Sequence, residues 1–284
     1  NFGKRATNRK RNALSSHSTM IGKKANVSVL RILFISLIAV FTICLCIGVG
    51  AFRGLIDSAP DINDVNIMPV GSATFIYDSD GNQLQKLTAP NSNRMPVSID
   101  QIPLDLQHAV VAIEDERFYE HNGIDLRGIM RAAVKGITHG FNFSEGASTI
   151  TQQLVKNMYY DQNKTFARKA AEAWTALYVE RQLSKEEILE LYINTIYFGD
   201  GYYGLKEASL GYFGKEPQEL NDSEAVLLAG IPNAPSAYAP SRHADLALQR
   251  EKQVLAAMVK YGYLEPSETD SLLWDAAADP VLAR

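Results

Sequence analysis

Cysteine is almost absent from this chain of 284 residues. Its two cysteines, Cys44 and Cys46, both lie inside one long uncharged run. Disulfide bonds and thiolate metal sites are therefore excluded from everything that follows that run. Acidic side chains are missing from the first 31 positions, which carry eight Lys and Arg residues. Internal repeats at a fixed period are also missing, which argues against a repeat architecture.

The uncharged run extends over 21 residues, from Ile32 to Phe52, and ends at Arg53. About 20 apolar residues are enough for a helix to cross a bilayer. The basic flank is expected to stay in the cytoplasm, so we predict a cytoplasmic tail at 1–31, an anchor at 32–53 and an extracellular remainder. A cleaved signal peptide is the alternative, although its apolar region is normally shorter.

The part of the chain beyond Arg53 is acidic, with 19 basic and 32 acidic residues and thus a net charge of −13. A surface of this kind does not bind polyanions broadly, so we expect no nucleic-acid partner. Any site for an anion must be a local cluster of basic side chains.

The predicted architecture is mainly α-helical. Residues 54–95 are expected to form a linker and a short β-hairpin, because Thr74–Tyr77 and Leu84–Leu87 flank an Asp-Gly turn signal. The main domain is expected at 96–263, with a further helix or the start of a linker at 264–284. Apolar spacing and caps predict helices at 104–115, 126–137, 148–158, 166–182, 185–195, 204–213, 222–230, 245–260 and 267–275. Capping boxes are predicted at Ser184 with Glu187 and at Asn221 with Glu224.

A dense polar run follows Gly146. We predict that Ser148 caps a helix beginning at Thr149, which would place Thr149, Gln153 and Lys156 on one face. Hydroxyl, amide and ammonium groups together suit a ligand rich in oxygen, such as a sugar or a phosphate. A solvated helix face is the alternative.

A cluster of acidic residues follows the apolar stretch 109–113. Glu114 ends this stretch, where loss of water could make its carboxylate a usable proton acceptor. The alternative is a solvated helix end. His121 follows, but no second histidine at helical spacing accompanies it, so we predict that it is satisfied by hydrogen bonds and binds no metal.

The domain has one obvious local concentration of positive charge, formed by Lys156, Lys164, Arg168 and Lys169. It can serve as an anion site. An exposed i, i+4 pair of Arg168 with Glu172 is the alternative, and the sequence alone favours neither. Further along, in a stretch whose apolar residues have core spacing, Asn194 is the one polar residue that we single out as a functional candidate.

Four motifs occur in order along the chain: Glu114-Asp115-x-x-Phe118-x-x-His121-x-Gly123, Gly146-x-Ser148-Thr149-Ile150-Thr151-Gln152-Gln153, Arg168-Lys169-x-x-Glu172 and Lys185-x-x-Ile188-Leu189-x-x-Tyr192-x-Asn194. They resemble the signature motifs of the peptidoglycan glycosyltransferases, glycosyltransferase family 51. This family forms the N-terminal part of class A penicillin-binding proteins and the whole of the monofunctional transglycosylases. The resemblance covers about Thr74 to Tyr263. Class A proteins continue into a transpeptidase domain, whose Ser-x-x-Lys and Lys-Thr-Gly motifs are absent from these 284 residues.

The resemblance implies a lysozyme-like fold with a larger head lobe and a smaller jaw lobe near the membrane. It implies that lipid II and a lipid-linked growing glycan are the substrates, with Glu114 as the general base and Glu172 as a second catalytic carboxylate. Other cell-wall synthesis or division proteins are implied as partners. No cofactor is required, although Asp115 near a pyrophosphate would permit a divalent cation, Mg²⁺ or Mn²⁺. The implied substrate-binding residues are Asp115, Phe118, His121, Ser148, Thr149, Gln152, Gln153, Lys156, Lys164, Arg168, Lys169 and Asn194.

Two other classes of protein remain open. A muramidase would cut the same glycan, but it would need an acid for a sugar leaving group and no cationic cluster. A non-catalytic cell-wall scaffold would need neither the two glutamates nor the basic set.

Overall fold

The structure is a computed structural model, and it describes residues 31–50, 53–54, 74–80, 83–87, 94–138, 148–160 and 165–275. The chain divides into two compact units, Asn1–Asp57 and Ser58–Arg284. Lys164, most of the predicted basic tail and residues 139–147 lie outside the described ranges.

The first unit contains one long apolar helix, α1, which spans Arg31–Gly50. The mean hydropathy of an 18-residue window within it is 2.9, and every residue of the helix is exposed. By length and composition it is able to cross a membrane. The prediction of an apolar N-terminal helix is therefore confirmed.

The second unit begins with two short strands, β1 (Thr74–Tyr77) and β2 (Gln83–Leu87), which pair antiparallel. Their register places Thr74 opposite Leu87 and Phe75 opposite Lys86. Gly81 and Asn82 between them lie outside the described residues.

The rest of the unit is helical, as the sequence predicts. Its α-helices are α2 (Leu104–Glu114), α3 (Leu126–Thr138), α4 (Ile150–Tyr159), α5 (Phe166–Gln182), α6 (Lys185–Thr195), α7 (Leu205–Phe213), α8 (Asp222–Gly230), α9 (Pro235–Tyr238) and α10 (Ala244–Lys260). Short 3₁₀ helices lie at Ile99–Gln101, Pro217–Glu219, Ile231–Asn233 and Pro266–Leu272. The last of these replaces the longer helix predicted at 267–275.

Two groups of helices form the core. The helix α8 packs against α2 and α10, while α4 packs against α5 and α6. All seven helical residues of α8 from Glu224 to Gly230 are buried, because this helix is enclosed by its neighbours. The arrangement brings the C-terminal end of α2 close to the N-terminal end of α4, since the Ile150 N–H donates to Asp115 Oδ2 at 2.9 Å.

Helix caps explain most of the boundaries. The capping boxes predicted at Ser184 and at Asn221 are both present. At α4, however, the cap is Thr149, and the prediction that Ser148 caps this helix is wrong. Thr149 and Gln152 satisfy the Ser/Thr-x-x-Glu/Gln pattern of a capping box, whereas Ser148 is followed three positions later by a threonine.

The core continues past residue 263. Trp274 is buried, its backbone N–H donates to both oxygens of Glu251 at 3.1 Å, and its ring packs edge-on against Phe213. The described part of the C-terminal segment therefore belongs to the same packed unit as α10.

Candidate active site

Glu114 is the last residue of α2 and lies where three elements meet. Its Oε2 accepts a hydrogen bond from Gln153 Nε2 of α4 at 2.8 Å. Its Oε1 is buried without a hydrogen bond, and the Nη2 atom of Arg250 of α10 lies 3.7 Å away. The side chain is only 10% exposed. This carboxylate is thus largely withdrawn from water, and the prediction that Glu114 ends a buried run is confirmed.

The Gln153 side chain is held in place by a hydrogen bond from α6. The Tyr192 hydroxyl donates to Gln153 Oε1 at 3.2 Å, which leaves the amide nitrogen facing Glu114. Complete burial raises the pKa of Tyr192 well above its usual range, and the charges of Glu114 and Asp115 raise it further. The phenol therefore stays protonated and keeps donating.

Asp115 is engaged within the protein. Besides the bond from Ile150, its two oxygens lie 3.0 Å from His121 Nε2. Because His121 Nδ1 accepts from the Gly123 N–H at 3.2 Å, the ring proton lies on Nε2 and is donated to Asp115. The prediction that hydrogen bonds satisfy His121 is confirmed. Within the described ranges, no group of three or more His, Cys, Asp or Glu side chains is arranged to hold a metal ion.

Four of the predicted substrate-binding residues are buried and serve the fold. Gln152 belongs to the α4 cap, and Thr149 also donates to the Gly123 carbonyl at 2.7 Å. Phe118 is fully buried, with Lys185 Nζ 4.4 Å from its ring centroid. Asn194 holds the backbone of Val97 through two hydrogen bonds of 2.7 and 2.9 Å. Of these four, Thr149 also lines the tyrosine cavity described below, whereas Phe118, Gln152 and Asn194 line neither cavity at Glu114.

The basic residues of α5 surround a buried carboxylate. Glu172 is fully buried, with Arg168 Nη1 2.8 Å from Oε1 and Lys169 Nζ 3.1 Å from Oε2. Lys169 also donates to Ser148 Oγ at 2.9 Å and remains 44% exposed. The pair of Arg168 and Glu172 is therefore not an exposed surface ion pair, because Glu172 is completely buried.

The charges of Glu114 and Glu172 both act on Lys156. Burial lowers the pKa of Lys156, and the charges of Lys169 and Arg168 lower it further, while Glu172 and Glu114 oppose the change. Cations that disfavour one another in this way are stabilised by an incoming anion. We therefore define Lys156, Arg168 and Lys169 as the cation cluster, with the buried Glu172 as the acidic partner of the last two.

Two cavities meet at Glu114 and Ser148. The first, here called the lysine cavity, has a volume of about 410 Å³ and is lined by Ile113, Glu114, Ser148, Gln153, Lys156, Pro232, Asn233 and Arg250. The second, the tyrosine cavity, has a volume of about 360 Å³ and includes Glu114, Glu116, Arg131, Ser148, Gln253, Lys260 and Tyr261 in its lining. Both are within the size range of ligand sites, which is roughly 300–1,000 Å³. A carboxylate thus lies between two cavities that each contain basic side chains.

Several lining residues were not predicted from the sequence, most notably Arg250. The sequence does contain a signal for Arg250. On α10, Arg250 and Glu251 lie on the buried face of the helix, together with the apolar residues Ala247, Val254 and Met258. A charge at a core position indicates a buried partner. Glu116 is another lining residue that the sequence did not single out. It lines the tyrosine cavity and forms an ion pair with Arg131.

A mainly helical domain that combines a buried carboxylate with a cationic cleft has the features of an enzyme acting on anionic substrates. Comparison with known proteins gives the family. Residues 80–259 match the family described as transglycosylase, and the chain belongs to that family.

Individual relatives agree. The chain is 44% identical over 197 residues to penicillin-binding protein 1F of Bacillus subtilis, covering 69% of this chain and 27% of that protein. It is 39% identical over 270 residues to penicillin-binding protein 1A/1B of the same organism, covering 94% of this chain and 29% of that protein. A Cupriavidus necator relative whose name assigns it to the transglycosylases is 44% identical over 190 residues, covering 67% of this chain and 81% of that relative. The chain thus spans less than a third of the length of the two penicillin-binding proteins.

Proposed function

We propose that this chain is a peptidoglycan glycosyltransferase that polymerises lipid II into glycan strands. Membership of the transglycosylase family supports this activity. The observation that carries the proposal is the position of Glu114 between two cavities that both contain basic residues. A glycan polymerase needs one phosphorylated lipid-linked sugar on each side of its base, and this arrangement suits that need.

Glu114 is proposed as the general base. It removes the proton from the 4-hydroxyl of the acceptor sugar, and that oxygen attacks the anomeric carbon of the donor with inversion. The bond from the anomeric carbon to the pyrophosphate breaks, and undecaprenyl pyrophosphate leaves. The low exposure of Glu114 supports this role, because a poorly hydrated carboxylate with an unpaired oxygen is a ready proton acceptor.

The cation cluster is proposed to bind the donor pyrophosphate in the lysine cavity, together with Lys164. The leaving group already carries its charge, so electrostatic stabilisation replaces most of the acid catalysis. Glu172 contacts both Arg168 and Lys169 and is proposed to orient these two cations. Ser148 and Gln153 line the cleft and are proposed to contact the substrate directly, whereas the acceptor is proposed to occupy the tyrosine cavity.

The remaining predicted site residues are proposed to stabilise the structure around the site and not to contact the substrate. Asp115 and His121 join α2 to the start of α4, and Thr149 and Gln152 fix that start. No cofactor is part of the proposal. A Mg²⁺ or Mn²⁺ ion at Asp115 would have to displace His121 and the Ile150 N–H, so the residues present fit such an ion poorly.

The proposed location is the cell membrane, with α1 as a single-pass anchor and the catalytic unit outside. The helix α3 supports membrane contact, because five of the eight exposed large apolar side chains described outside α1 belong to it. A lysozyme-like shape with a head lobe and a jaw lobe is proposed from the family resemblance. Other cell-wall synthesis or division proteins are proposed as partners on the same basis.

The replacement Glu114→Gln tests the proposal. Glutamine keeps the shape of the side chain and cannot accept the proton, so we expect lipid II polymerisation to fall by about 10²–10⁴. The measurement is the conversion of labelled lipid II by the purified full chain, with products resolved by size. Glu120→Gln is the matched control, because Glu120 is 63% exposed and lies outside both cavities.

The products separate the alternatives. Long glycan made by the wild type supports the transferase, shortened glycan would identify a muramidase, and unchanged substrate would indicate a scaffold. Normal polymerisation by Glu114→Gln would show that another group is the base.

A further inference from the structure

The buried oxygen of Glu114 is the starting observation. Oε2 is paired with Gln153, but Oε1 has no hydrogen bond within the described structure and almost no contact with solvent. Burial of this kind removes the water that would otherwise stabilise a negative charge. A base must be ionised before the reaction, so some nearby charge has to compensate for the lost water.

Arg250 is the basic side chain that the described residues place within ion-pair distance of this oxygen, at 3.7 Å. It is itself buried. The distance is too long for a hydrogen bond, so Arg250 stabilises the negative charge without occupying the oxygen's lone pairs. The oxygen therefore stays available for a proton.

The guanidinium of Arg250 is held in place by contacts with residues other than Glu114. Nε donates to the Gly230 carbonyl at 3.3 Å, and Nη1 donates to Gln253 Oε1 at 3.0 Å. The Tyr238 ring centroid lies 5.9 Å from the guanidinium carbon. Arg250 is thus anchored to the end of α8 and to its own helix, and its charge is held at a constant distance from Glu114.

We propose that Arg250 is a positioning residue that keeps Glu114 ionised and oriented for proton transfer. The inference rests on the proposed function, because it assigns Arg250 a role in the reaction for which Glu114 is the base. It also predicts that the charge of Arg250 acts on the ionisation of Glu114 independently of which reaction the protein catalyses.

Other titratable groups face Glu114 and must be considered with Arg250. Lys156 of α4 interacts with it favourably, whereas Tyr192 of α6 is neutral. Asp115 and Glu116 on the adjacent segment oppose ionisation by their like charge. Lys156 belongs to the cation cluster, and an incoming pyrophosphate would reduce its help to Glu114. Arg250 also lines the lysine cavity, but its bonds to Gly230 and Gln253 hold it in place independently of that cluster.

The experiment compares Arg250→Gln with Arg250→Lys in the full chain. For Arg250→Gln we expect lipid II turnover at neutral pH to fall about 10²-fold, the loss that a misplacement of a catalytic group by about 1 Å can cause. The acidic limb of the pH–turnover profile should move to higher pH, because the charge that favours the ionised base is gone. Arg250→Lys should keep the acidic limb near its wild-type position, since lysine restores the charge. Lys252→Gln, at an exposed position on the same helix, is the control and should leave both measurements unchanged.

A second measurement does not depend on activity. The titration of the Glu114 side chain, followed by ¹³C NMR of labelled carboxyl groups, should move to higher pH in Arg250→Gln and stay in place in Lys252→Gln. If the wild type does not polymerise lipid II, the proposed function fails, but this titration still decides whether Arg250 acts on Glu114.

Three results would overturn the inference. One is an unchanged acidic limb together with weaker binding of lipid II, which would make Arg250 a substrate ligand. Another is wild-type turnover in Arg250→Gln. The third is a titration of Glu114 that does not respond to the substitution. If Arg250→Gln does not fold, Gln253→Glu replaces it. A new carboxylate at this exposed position would compete for the guanidinium, so the Glu114 titration should again move to higher pH, and an unmoved titration would refute the coupling.

Discussion

Lys156 combines burial with two neighbouring cations, and this combination makes it the cluster residue whose charge is most sensitive to a ligand. Its pKa is lowered, so the ammonium loses its proton at a lower pH than an ordinary lysine. Binding of an anion would reverse this effect, because a negative charge favours the protonated form. In the proposed reaction, Lys156 therefore carries its full charge when the pyrophosphate is present.

The corresponding prediction is a loss of turnover in Lys156→Ala and Lys169→Ala. Removing one contact to the charge that develops in the transition state typically costs about 2.7–4 kcal/mol, or about 10²–10³ in rate. Rates of lipid II polymerisation and thermal unfolding temperatures measured together would separate this loss from a folding defect. Lys252→Ala is the control for removing a lysine from the surface. If both cluster variants polymerise normally, the cluster has a structural role only.

Single residues also show where prediction from the sequence succeeds and where it does not. The hydroxyl and amide groups of Thr149 and Gln152 suggest a ligand, but a capping box uses the same groups to satisfy backbone N–H donors. The order of the motifs indicates that α4 belongs to the functional site. It does not distinguish the side chains of α4 that face the cleft from those that stabilise the fold around it. Arg250 was missed because its partner Glu114 lies 136 positions away in the sequence, and no local pattern connects the two.

At the scale of elements, α3 differs from the other α-helices of the second unit because it makes no extensive contact with another described element. Five apolar side chains on it are 41–70% exposed: Leu126, Ile129, Met130, Val134 and Ile137. Arg127, Arg131 and Lys135 recur every four residues along an adjacent face, and Gly128 and Gly136 are buried. An apolar face beside a basic one is typical of a helix lying in the membrane interface.

We predict that α3 inserts its apolar face into the lipid surface. A fluorescent label at Met130→Cys, in a chain with Cys44 and Cys46 changed to Ser, should shift to shorter wavelength in vesicles and be quenched by brominated lipids. The same label at Lys252→Cys should respond to neither, since α10 belongs to the packed core of the unit. Equal responses at the two positions would mean that α3 has no special contact with the membrane.

Helix boundaries were the most predictable part of the fold. The bounds of α5, α6 and α8 agree with the sequence prediction, because apolar spacing and caps are local signals. The segment after residue 263 was less predictable. Its buried contacts depend on Glu251 and Phe213, which local spacing does not connect to Trp274.

At the scale of the whole molecule, Glu251 connects α10 to the C-terminal segment and makes folding sensitive to pH. Burial raises the pKa of Glu251 to about 8, and the hydrogen bond from the Trp274 N–H opposes this rise only in part. Between the ordinary value of 4.5 and about 8, the folded chain binds a proton that the unfolded chain has released. The free energy of unfolding must therefore decrease as the pH rises through this range, by up to about 1.4 kcal/mol per pH unit from this group.

The last prediction follows from this sign. Glu251→Gln keeps an oxygen that accepts from Trp274 but cannot ionise, so its stability should lack this component of the pH dependence. Denaturant unfolding of the full chain in detergent, from about pH 5 to about pH 9, should show a variant whose advantage over the wild type increases towards alkaline pH and levels off above about pH 8. Glu120→Gln should follow the wild-type curve, because its carboxylate is largely hydrated in the folded protein. A constant difference between Glu251→Gln and the wild type across the range would mean that the carboxyl group of Glu251 does not change its ionisation on folding, and that its contact with Trp274 contributes equally at every pH.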